Sequence, residues 1–106
     1  MLHNIRTLTS APFRPHIGTE VALETADAQV VRARLVKVED LPRSTPPDAA
    51  RLSFHLILEA PEPCPLGRGD FTLVHPGWGR LGPLYVERIF PGSLTCDRAV
   101  FEVTFG

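Results

Sequence analysis

At 106 residues, 43% of them hydrophobic, the chain has apolar side chain enough for one core and needs neither a metal nor a disulfide scaffold to fold. Eleven Lys and Arg stand against 12 Asp and Glu, for a formal net charge of −1, so no overall field draws the chain to a nucleic acid or an anionic membrane. No apolar run approaches the roughly 18 residues of a membrane span, and the first residues lack the order of a secretory leader, so a cytoplasmic protein is expected, with Cys64 and Cys96 as reduced thiols rather than a disulfide.

One β-rich domain over residues 1–106 is the expected organisation. Residues Met1 to Leu8 have no clear period, and fraying is expected within 1–12. Within Thr9-Ser10-Ala11-Pro12-Phe13 a capping hydroxyl precedes a proline, which predicts a short helical turn that Pro15 stops, with Phe13 packed under an open end of the sheet. From there the dominant period is two, the mark of strands with one buried face. The first predicted strand, Ile17 to Glu24, turns Ile17, Thr19, Val21 and Leu23 inward. The second, Gln29 to Glu39, alternates through Val31, Ala33 and Leu35, then changes phase to Val36 and Val38 as a β-bulge would. Residues 41–51, rich in Pro and small residues, read as an exposed, mobile loop.

The third strand, Leu52 to Glu59, places Leu52, Phe54, Leu56 and Leu58 inward, with Ile57 as an exception that suggests cover on both faces. The fourth runs from Asp70 to His75, the fifth from Leu84 to Phe90, and the sixth from Ala99 to Phe105 with Phe101, Val103 and Phe105 inward. Six short, mainly antiparallel strands with a turn signal every eight to twelve residues predict an all-β barrel or sandwich.

Few constellations here carry chemistry. Arg68-Gly69-Asp70 spells an adhesion tripeptide, but adhesion needs export, and the flanking residues read as a turn entering the fourth strand. His3, His16, His55, Cys64, His75 and Cys96 show no paired ligand spacing, so no metal and no cofactor is expected. No serine or cysteine lies in a recognised nucleophile setting, and no glycine loop opens a helix to cradle phosphate, so no catalytic residue is assigned. His75-Pro76-Gly77-Trp78-Gly79 sets a possible base beside an aromatic platform but fits a hairpin connection better. His75, Trp78 and Tyr85 remain candidate ligand-binding residues at a barrel mouth, while Gly18, Gly69 and Pro76 take structural roles at turns.

Read in order, Phe13, Ile17-Gly18-Thr19, Leu35-Val36-Lys37-Val38, Phe54-His55-Leu56-Ile57-Leu58-Glu59-Ala60-Pro61, Leu66-Gly67-Arg68-Gly69-Asp70-Phe71-Thr72-Leu73-Val74-His75-Pro76 and Phe101-Glu102-Val103-Thr104-Phe105 resemble a bacterial family of single-domain proteins of unknown function. The chain departs from that pattern with Phe for Tyr at positions 71 and 101 and with Gly77-Trp78 after His-Pro. The resemblance implies a fold and little chemistry, and it implies an association with tail-collar-like or tail-fibre-like proteins of phage-related systems. The expected function is therefore a non-catalytic interaction or assembly domain whose partner is another protein, such as a tail-collar-like product, or a second copy of itself. A small-molecule-binding barrel is the first alternative, and a hydrolase using His75 with Cys64 or Cys96 the second.

Overall fold

The computed structural model describes residues 8–49, 51–61, 64, 66–89 and 98–106. Six strands, β1 (Glu20–Glu24), β2 (Val30–Asp40), β3 (Phe54–Pro61), β4 (Gly69–His75), β5 (Gly79–Ile89) and β6 (Arg98–Phe105), close into a barrel in the order β1-β2-β3-β6-β5-β4. Every pairing is antiparallel. Of the two architectures expected, the barrel is the one formed, closed by β1 against β4 and by a short β5–β6 ladder over Glu87–Ile89.

The alternation explains the core. Val21 and Leu23 of β1, Leu35 of β2, Leu56 and Leu58 of β3, Leu73 of β4 and Phe101 and Val103 of β6 are all fully buried, so the inward row of each strand fills the lumen with side chain. Burial of each such side chain is worth about 1.5–3 kcal/mol. The phase change expected in β2 is real: Leu35 pairs with Leu58 and Lys37 with Ile57, so Val36 is the extra residue of a bulge. That bulge lets Leu35 and Val38, three apart, both face inward. Ile57 is half-buried on the outer surface.

Several boundaries differ from the sequence reading. Ile17 is 45% exposed and Leu52 49%, because β1 begins only at Glu20 and β3 only at Phe54. Backbone pairing with β2 does reach back to Gly18 and Thr19, through Gly18 N–H to Leu35 O at 2.6 Å and Leu35 N–H to Thr19 O at 3.0 Å. The helical turn lies at Arg14–His16 rather than before Pro15. Proline is welcome in a first turn, where its missing N–H would have had no partner. β5 starts five residues before the predicted Leu84, at Gly79. Phe90 and Cys96 fall outside the described residues.

The early start of β5 was hidden by Gly82 and Pro83. Leu81 pairs with Leu73 and Leu84 with Phe71, so Gly82 and Pro83 together face Thr72 across β4 in a second bulge.

Both barrel ends are covered. At one end, Phe13 is 1% exposed and packs on Phe54, Phe105 and Trp78 with ring centroids 5.7, 5.9 and 5.1 Å away. Its segment is fastened to β2 by Ser10 Oγ–H to Asp40 Oδ1 (2.7 Å), by the Arg14–Asp40 ion pair (2.9 Å) and by Arg14 Nη1–H to Val38 O (3.1 Å). At the other end, Arg88 of β5 donates to the carbonyls of Cys64 (3.0 Å) and Leu66 (2.9 Å), and its guanidinium lies over the ring of Phe101. Between β2 and β3, Leu41 N–H donates to Ser53 O and Ser53 N–H to Thr45 Oγ1, which closes the base of the 41–51 loop around a 3-10 turn at Pro42–Ser44.

Candidate functional site

β4 ends at His75, three residues make the connection, and β5 starts at Gly79 paired back to His75. The turn expected from His75-Pro76-Gly77-Trp78-Gly79 is therefore a three-residue hairpin loop, with Gly79 in the left-handed region at φ +75°. This geometry folds Trp78 back over the barrel end. Its indole N–H donates to Leu73 O at 3.2 Å, and its ring stacks on His75 at 4.3 Å and meets Phe13 edge-on.

The 3-10 turn brings His16 over the same end, with its ring centroid 4.5 Å from that of His75. Gly77 lies so close below that a Cβ there would sit 2.5 Å from His16 Nε2 and 3.0 Å from His75 Nδ1. A side chain at this position would have to push the His16 ring aside.

His75 is 7% exposed, and its hydrogen bonds specify its proton. Gly77 N–H donates to Nδ1 at 2.8 Å, so Nδ1 carries the lone pair. Thr19 Oγ–H donates to His16 O at 2.6 Å, which leaves the Thr19 oxygen to accept from His75 Nε2–H at 2.9 Å. The chain of bonds runs from Gly77 N–H through His75 and Thr19 to the accepting His16 carbonyl, and it holds the imidazole neutral in one tautomer. Burial lowers the His75 pKa below its ordinary value of 6.5, and the neighbouring His16 lowers it further.

The sign of the pH dependence follows. An unfolded chain takes up a proton on this residue near pH 6.5, while the folded chain takes it up only at lower pH. Stability is complete above about pH 6.5 and is expected to fall below it, by up to about 1.4 kcal/mol per pH unit, until the folded pKa is passed. Glu24, Asp27 and Glu39 have lowered carboxyl pKa values, so their contribution is lost only further into acid. Urea melts of the protein and of His75→Gln at pH 8, 6.5 and 5.5 check this: the variant should be weaker at pH 8 yet lose less on acidification. Equal slopes for the two proteins would remove His75 as the cause.

Of the three candidate ligand-binding residues, His75 and Trp78 are together and buried. Tyr85 is 54% exposed on the outer face of β5, opposite Asp70, five residues along β4 from His75 and roughly 16 Å away at strand rise. Cys64 lies at the opposite end of the barrel from His75, and Cys96 is outside the described residues. Gly18 takes φ +92° where the chain leaves the 3-10 turn, Pro76 opens the hairpin loop, and Gly69 is the first residue of β4, opposite Val86. Arg68 and Asp70 flank Gly69 exposed, as the turn reading of that tripeptide expects.

Sequence reasoning passed over a second cluster. On the outside of β2, β3 and β6, His55 Nε2 lies 3.0 Å from Glu39 Oε1 and Nδ1 lies 3.0 Å from Glu102 Oε2. Lys37 bonds Glu39 as well, and holds its carboxyl below the usual carboxylate range, with His55 adding to the effect. Alternation alone placed His55 outward, but only the strand register sets a carboxylate on each side of it. Among the described residues no group of three His, Cys, Asp or Glu is arranged to hold a metal ion, and no helix is long and apolar enough to cross a membrane.

The profile of a domain of unknown function, DUF6916, matches residues 8–105. The chain belongs to the DUF6916 family. The match starts just before the Phe13 cap and ends on the last residue of β6, so the DUF6916 unit takes in the cap and the whole barrel. No curated protein and no solved structure matches this DUF6916 chain.

Proposed function

We propose that the domain is a non-catalytic interaction or assembly module of the cytoplasm, accessory to a phage-tail-like structure, with a tail-collar-like protein as its partner. The observation that carries this reading is the engagement of His75: the side chain best placed for acid–base chemistry has both ring nitrogens bonded within the fold. As a general base it would have to release the Gly77 amide first.

The lumen supports the same reading, since inward side chains fill it and His75 and Trp78 are part of the packing at its end. Recognition then falls to the outer surface. Tyr85 stands there 54% exposed, a residue type favoured at protein interfaces for its apolar body and polar tip. The choice of partner rests on the association with tail-collar-like proteins that the resemblance of the strand motifs implies.

Co-expression tests it. An affinity-tagged copy should retain a co-expressed tail-collar-like protein through gel filtration, in a fixed ratio. Elution of the tagged chain alone as a monomer, with the collar-like protein in the flow-through, would sink the proposal.

A further inference from the structure

On the outside of the barrel, β1, β2, β3 and β6 bound a groove of about 180 Å³ lined by Glu20, Arg32, Arg34, Glu59, Pro61 and Arg98. Strand register places Arg34 directly between two carboxylates, opposite Glu20 on β1 and opposite Glu59 on β3. Cross-strand pairing of opposite charges would normally join them. Instead Glu20 bonds Arg32 at 2.7 Å, and Glu59 lies 3.8 Å from Arg98.

The two carboxylates are thus turned to the flanking arginines, and the central one keeps no ion pair among the described residues. Among the described residues, the groove's three guanidiniums face two carboxylates, and the remaining positive charge sits on a planar fork of donors that matches a carboxylate in a two-point bond. Gly18, with open space where a side chain would stand, leaves room beside it.

We infer that this groove is a docking site for an acidic segment of a partner protein, with an Asp or Glu carboxylate received by Arg34 between Arg32 and Arg98. The inference rests on the interaction reading above and names the chemistry of its surface. A carboxylate is favoured by charge complementarity with Arg34, which has no ion pair among the described residues. A run of acids gains further from the flanking arginines, which can exchange their Glu partners for the incoming ones.

The probe is an acetylated, amidated hexaglutamate peptide, titrated at low salt while the Arg34 Nε–H signal is followed by NMR. Saturable shifts centred on the groove are expected, weakening with added salt. Arg34→Gln should bind about tenfold more weakly, the loss of a charge-assisted bond pair, whereas Arg43→Gln, exposed in the Pro42–Ser44 turn, should bind as the parent does. No shift at Arg34, equal binding by Arg34→Gln, or equal occupancy by inorganic phosphate with displacement of the peptide would each overturn the inference. If the peptide fails while the collar-like protein still co-elutes, the groove is wrong and the interaction reading stands. If the peptide binds while co-elution fails, the groove stands and the proposed partner falls.

Discussion

Phe13→Ala is expected to cost about 3–5 kcal/mol of stability, read as a lower urea midpoint with little change in slope. A domain of this size has only about 5–15 kcal/mol in total, so the variant should sit near the edge of folding at 37 °C. Phe13 belongs to no strand, yet it is almost wholly buried and touches the rings of Phe54, Trp78 and Phe105. Truncation would leave a cavity that neighbours cannot close, because Phe54 and Phe105 are already stacked on each other at 4.5 Å. Phe13→Leu, which keeps most of the volume, should lose far less. Were the alanine variant within about 1 kcal/mol of the parent, below the range for a buried Phe truncation, the cap would be an ornament on a barrel that stands without it.

Gly82→Ala is the second large effect. A Cβ at this position would lie 2.9 Å from Phe71 O, 3.0 Å from Leu84 N and 3.1 Å from Thr72 Cα, all backbone atoms that cannot swing aside. The residue also takes φ +139°, where a side chain is strained on its own account, at a cost on the order of 1–3 kcal/mol before the contacts are counted. The β4–β5 pairing must open to accept the methyl group. Gly67→Ala is the matched control, since its Cβ would meet nothing within 4 Å; it should melt within about 0.5 kcal/mol of the parent. Thermal melts that ranked the two in the opposite order would mean the bulge is not where the backbone is constrained.

The legible part of the fold is the part written in alternation. Val21 and Leu23, Phe54 through Leu58, and Phe101 through Phe105 announce their strands because one face of each meets the core. Even the β2 bulge could be read, since Val36 and Val38 change phase against Leu35. Ile17 and Leu52 misled for a physical reason: an apolar residue just outside a strand looks like a continuation of its inward row, yet the chain has already turned away. β5 was cut short because Gly82 and Pro83 carry turn chemistry into the middle of a strand, where they form a bulge.

The site was legible only in pieces. His75 and Trp78 stood out in their loop, but the tautomer of His75 depends on Thr19, which lies 56 positions away in sequence. Arg34 drew no attention in an ordinary exposed row. Its isolation depends on which of its neighbours Glu20 and Glu59 select, a choice made by side-chain geometry across four strands.

The cap also has a consequence for the order in which the domain can form. Phe13 rests on Phe105, 92 positions later (105 − 13), and Ser10 and Arg14 are bonded to Asp40 before β3 has been reached. On a ribosome, the segment can be tethered to β2 early, but its aromatic seat is unfinished until β6 emerges. Contacts this distant in sequence slow folding, so a chain arrested before β6 should hold its first aromatic exposed, a ready substrate for chaperones in every round of synthesis.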